Sequence, residues 1–77
     1  MNQSKRKRLA EAKELLQRAA DIISSVQDQE SDDLDNMPEN LQSSERYEKM
    51  EDVIDNLEDA LKSIEDANES VDSASEK

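Results

Sequence analysis

The chain has no cysteine, histidine, glycine, tryptophan or phenylalanine, and only one tyrosine and one proline among 77 residues. Without cysteine or histidine there is no thiol nucleophile, no imidazole base, no disulfide and no usual zinc or haem ligand. Metal-free acid–base chemistry is left to carboxylates. Without glycine, neither a phosphate-cradling Walker loop nor a dinucleotide-binding turn is possible, since both rest on backbone positions that only glycine adopts cheaply. No cofactor is expected. No apolar run approaches the roughly 18 residues of a membrane span. The basic start, Met1 to Arg8, leads into no continuous apolar stretch of the signal-peptide kind, so no membrane association and a cytoplasmic location are expected.

What is abundant is negative charge. Twenty-one Asp and Glu stand against ten Lys and Arg, a net charge of −11. Leu, Ile and Val together make up only about 18% of the chain, a fraction that with such charge usually accompanies disorder. Composition alone therefore predicts an unfolded chain, and a lone monomer is expected to be marginal; the order of the residues nevertheless carries a helical pattern.

Leu9, Ala12, Leu16, Ala19, Ile23 and Val26 are spaced 3, 4, 3, 4, 3, an uninterrupted heptad seam that predicts a helix over about residues 4–28. Leu15 and Ile22 widen that seam into a stripe suited to a bundle, and Ala12 and Ala19 permit close approach of a second helix. The last third is built from four seven-residue units beginning at Met50, Leu57, Ile64 and Val71. Their seam, Tyr47, Met50, Ile54, Leu57, Leu61, Ile64, Asn68 and Val71, predicts a second helix over about 44–72. Val53, Ala60, Ala67 and Ala74 widen it. Ser43 or Ser44 is the expected N-cap, with Glu45 and Glu48 suited to the positive end of the helix dipole, and residues 73–77 are expected to fray. Asn68 is a candidate register device, because a buried amide prefers another amide.

Residues 29–43 form an acidic connector interrupted by Pro38. Leu34, Met37 and Leu41 sit at helical spacing, and Asn36 stands three residues before Glu39 as in a capping box, so a short docked turn is expected there, with a mobile loop as the alternative. Charge is unevenly divided: residues 1–26 carry +3 and residues 27–77 carry −14. Antiparallel packing would set Lys5, Arg6, Lys7 and Arg8 beside Glu65, Asp66, Glu69 and Asp72. The expected fold is thus all-α, a single domain over residues 1–77: an antiparallel two-helix hairpin whose wide stripes favour self-association into a four-helix bundle or higher oligomer.

Several constellations invite functional readings. Asp28, Glu30, Asp32, Asp33 and Asp35 offer hard oxygen ligands, but an EF-hand loop needs the glycine this chain lacks. Adjacent carboxylates such as Glu58 and Asp59 point in different directions on a helix and have no aromatic platform for a sugar, and a di-metal carboxylate bundle needs histidine. No catalytic, cofactor-binding or metal residue is therefore expected. Tyr47 closes the seam near the connector or anchors a partner. Lys5 to Arg8 make a weak nucleic-acid footprint on so acidic a chain, and direct nucleic-acid binding is not expected.

The off-seam acids Glu51, Asp52, Asp55, Glu58, Asp59, Glu65 and Asp66 give the second helix a negative outer face. With Leu34, Met37 and Leu41 they form the expected partner surface. A solvated face is the plain reading; the sharper one is imitation of nucleic-acid phosphates to occupy the cleft of a basic protein.

Arg6 to Leu16, the run Met37-Pro-Glu-Asn-Leu-Gln-Ser-Ser-Glu-Arg46, and the repeats opening at Arg46-Tyr-Glu-Lys-Met-Glu-Asp-Val-Ile-Asp-Asn-Leu-Glu-Asp-Ala60 resemble short acidic proteins of phages and prophages of Gram-positive bacteria. The resemblance covers most of the chain and implies a phage context, hence the cytoplasm of a bacterial host, but no mechanism and no functional residues. Three functions are expected in descending order: a non-enzymatic protein-interaction module acting through its acidic helical surface; a nucleic-acid-mimicking inhibitor of a basic host or defence protein such as a nuclease; and a helical oligomer that sequesters a small signalling nucleotide with Lys5 to Arg8, Lys13 and Arg18.

Overall fold

A computed structural model describes all 77 residues. Helix α1 spans Gln3–Asp35, a single 3-10 turn spans Glu39–Leu41, and helix α2 spans Glu45–Ser75. The two helices lie antiparallel along a rod of 60 × 15 × 12 Å. Contacts fix the register: the Arg6 Nε–H donates to the Ser75 carbonyl at 3.0 Å, the Lys13 ammonium pairs with the Asp72 carboxylate, and the Gln27 amide donates to Glu58 Oε2 at 2.9 Å.

Local chemistry sets each helix end. The Asn2 side chain accepts a bond of 2.9 Å from the Lys5 N–H and starts α1. Pro38 stops it, because the residue before a proline, here Met37, is pushed out of the helical region. Ser44 caps α2 by accepting from the Tyr47 N–H at 3.3 Å, and Glu45 and Glu48 lie in its first turn, where negative charge meets the positive dipole end.

Three expectations need correcting. Helix α1 does not end near residue 28 but runs on to Asp35, absorbing the first half of the acidic connector. Asn36 does not open a capping box: it is the C-cap of α1, its backbone N–H bonded to the Asp32 carbonyl, and the 3-10 turn starts after Pro38. Residues 73–75 continue α2, and the Ser75 hydroxyl donates to the Val71 carbonyl.

Along the shared seam, Leu9, Leu16, Ile23, Tyr47, Met50, Ile54, Leu57, Leu61 and Ile64 are all half-buried. Val26 is the exception, 43% exposed. The reason is helical drift. A straight helix turns about 20° per heptad relative to a strict seven-residue repeat. Over four turns the contact line therefore drifts across the file of Ala12 and Ala19, both still half-buried, leaves Val26 outside it, and passes onto Gln27, Ser31 and Leu34, which are half-buried where Val26 is not. No residue of the hairpin is fully buried. Two helices side by side have no interior, only a seam.

Candidate acidic interaction surface

The amphipathic pattern of α2 holds its apolar file against α1, so its off-seam positions must face outward. Glu51, Asp52, Asp55, Glu58, Asp59, Glu65 and Asp66 are indeed all exposed. None of them is paired with a Lys or Arg. The two ion pairs of the molecule are Lys13 with Asp72 and Lys49 with Glu45 at 3.2 Å. Glu58 alone of the seven has a neighbour in hydrogen-bond contact, the Gln27 amide, which also donates to the Ile54 carbonyl at 3.3 Å.

The density of this charge is a quantity that can be compared. Helix α2 carries eleven carboxylates and three basic side chains between Glu45 and Ser75. At about 1.5 Å of rise per residue, that is one carboxylate per roughly 4 Å of helix axis. A nucleic-acid strand carries one phosphate per about 3.4 Å.

At the closed end of the hairpin, Met37, Pro38 and Leu41 line a shallow cleft with Arg46 and Met50 from α2 and Glu30 and Asp33 from α1. Leu34 and Met37 are half-buried, and Leu41 is 44% exposed. Leu34 belongs to the last turn of α1 and so lies on the seam, whereas Met37 and Leu41 flank the 3-10 turn. The three do not share a single helical face.

The acids Asp28, Glu30, Asp32, Asp33 and Asp35 are distributed around α1, and no three acidic side chains converge in a geometry that could hold a metal ion. The basic residues are likewise dispersed. Lys13 is engaged by Asp72 and Arg6 by Ser75, and Arg18, five residues beyond Lys13, points about 140° away around the helix.

Two contacts were missed in the sequence. Gln27 sits where a strict heptad puts no seam residue, and only the drift of a long straight helix brings its amide onto α2. Lys13 and Asp72 each follow a seam residue, Ala12 and Val71, which is the flanking position from which charges cross a helix pair. That signal was legible in the sequence, but the basic cluster at residues 5–8 drew the expectation instead. Compared with known proteins, the chain matches no protein family, no curated protein and no solved structure.

Proposed function

We propose that this protein is a non-enzymatic interaction module, in which a helical hairpin, self-associated into a dimeric four-helix bundle or a higher oligomer, presents the acidic face of α2 to a basic protein. The observation that carries the reading is the set of seven exposed carboxylates without a basic partner in the chain. Unpaired charge on a rigid rod raises the local concentration of an oppositely charged partner and steers its approach.

Capture of partners from bacterial lysate at low and moderate salt tests it. The wild-type protein is expected to retain a basic protein that the variant Asp52→Lys/Asp59→Lys/Asp66→Lys does not. Equal capture by both would refute the acidic face as the recognition surface.

The charge spacing along α2 supports a narrower second reading, a nucleic-acid mimic that occupies the cleft of a host or defence nuclease. Its mark is steep salt dependence together with displacement of the captured protein by single- or double-stranded DNA. A partner that survives moderate salt and is indifferent to DNA would favour apolar recognition through Met37 and Leu41.

A further inference from the structure

The hairpin has two flanks, and they differ in kind. At 100° per residue, Lys13 and Gln17 lie to one side of the α1 seam and Leu15, Ile22 and Val26 lie to the other. The cross-helix contacts of Lys13 with Asp72 and Gln27 with Glu58 run along the first flank. On the second flank Leu15, Ile22 and Val26 stand 57%, 67% and 43% exposed. Helix α2 contributes to that same flank Val53, Ala60, Ala67 and Ala74, which lie across its seam from Glu58 and Asp72. Beside them in the heptad run Lys49, Asn56, Ser63 and Ser70, so neither of these two heptad columns of α2 holds an acid, although Glu45 reaches Lys49 at 3.2 Å.

The α1 stripe on this flank reads Arg8, Leu15, Ala19, Ile22, Val26, Asp33. Its spacings are 7, 4, 3, 4, 7, the same in both directions. Laid antiparallel on a copy of itself, Leu15 meets Val26, Ile22 meets the small Ala19, and at both ends Arg8 meets Asp33, while at the edges of the stripe Ala12 meets Gln29 and Glu11 meets Glu30. Neither Arg8 nor Asp33 has an ion-pair partner within the hairpin.

The centre of this stripe lies between residues 20 and 21. The α2 stripe, Val53, Ala60, Ala67, Ala74, has its centre between 63 and 64. The hairpin register puts both centres at one height, since Lys13–Asp72 lies about eight residues from each on one side and Gln27–Glu58 about six from each on the other. One two-fold axis therefore serves both helices, as an isologous interface requires.

The exposed area leaves room for such an interface. A compact monomer of 8.8 kDa exposes about 4,800 Å². This hairpin exposes 5965 Å². The surplus, about 1,200 Å², is the amount that one partner of a standard or somewhat larger interface covers.

We infer that a second copy of the chain docks on this flank, α1 antiparallel on α1 and α2 antiparallel on α2, with Arg8 of each copy on Asp33 of the other. The inference rests on the self-association proposed above and adds to it the face, the direction and the register. The acidic surfaces are left on the outside of the resulting four-helix bundle.

Because the chain lacks cysteine, single thiols report the geometry without interference. Leu15→Cys and Val26→Cys chains, mixed and mildly oxidised, are expected to yield a disulfide-linked pair that neither variant yields alone, since only facing positions come within disulfide range. Both positions are already exposed, so the hairpin itself should persist in each variant. Cross-linking of Leu15→Cys with itself would overturn this direction and register while leaving self-association through the flank standing, and no link between Leu15→Cys and Val26→Cys would overturn the pairing outright. A one-chain mass by sedimentation at micromolar concentration would overturn the pairing and self-association together. As a second measurement, Arg8→Glu should raise the dimer dissociation constant by roughly tenfold, and Arg8→Glu/Asp33→Arg should restore it. No rescue by the double variant would refute the Arg8–Asp33 register.

Discussion

Asn68 occupies a seam position between Ile64 and Val71, and its amide oxygen is secluded from solvent without a hydrogen-bond partner. A buried acceptor left unsatisfied costs about 1–3 kcal/mol. Asn68→Leu removes that cost and extends the apolar file, so the variant should gain about 1 kcal/mol. For a domain this small that is roughly 4–8 °C in the thermal midpoint, read from circular dichroism melts. An unchanged or lower midpoint would mean that the amide is satisfied and acts as a register device. Leu16 gives the opposite sign. It lies half-buried on the seam between Ala12 and Ala19. Leu16→Asp sets a carboxylate against α2 and should abolish the cooperative melt. Retained helicity and an unshifted midpoint would show that the contact line runs elsewhere.

At the scale of the helix, periodicity was legible where apolar residues mark the seam and illegible where polar ones do. The 3, 4 spacing from Leu9 to Ile23 and the four heptads from Met50 locate both helices and their facing sides. Residues 27–35 hide the rest. There the seam is made by Gln27, Ser31 and Leu34, two of them polar, so the sequence pattern ends one turn after Ile23 while the helix does not. The same blind spot turned Asn36 from a C-cap into an apparent N-cap, because an Asn with a Glu three residues on carries the local signature of a helix start. This extension has an electrostatic cost. Asp32, Asp33 and Asp35 lie in the last turn of α1, which contains no basic residue, and face the negative end of the helix dipole. Asp35→Lys should therefore stabilise the turn by about 0.3–1 kcal/mol and slow amide hydrogen exchange at residues 32–36. Faster exchange in the variant would mean that Asp35 has a stabilising role in the turn which the dipole argument omits.

For the whole molecule, the acidic surface was legible from composition and heptad position alone, because a helix with its apolar file committed to a partner leaves its remaining positions to solvent. The apolar flank was legible in part, as Leu15, Ile22, Val53, Ala60, Ala67 and Ala74 widening the seams; that Val26 joins it was not, since only drift carries Val26 off the seam and into line with Leu15 and Ile22. Charge then acts on the molecule as a unit. Two ion pairs are set against a net charge of −11 spread along a 60 Å rod. At an ionic strength of about 0.01 M the Debye length is about 30 Å, and carboxylates along half the rod repel one another; at about 0.15 M it is near 8 Å and only neighbours interact. Exposed ion pairs contribute about 0.2–1 kcal/mol each and weaken over the same range. Repulsion involves many more pairs than attraction does, so its relief should win. The thermal midpoint should rise as sodium chloride goes from 0.01 to 0.15 M, and the rise should shrink in Asp52→Lys/Asp59→Lys/Asp66→Lys, whose net charge is about −5 because each substitution adds two units. That variant should keep its helicity, since all three positions face outward. A midpoint that falls with salt in the wild-type protein would mean that the Lys13–Asp72 pair and the basic start of α1 against the acidic end of α2 dominate, and that opposite-end attraction, more than the apolar seam, holds the hairpin closed.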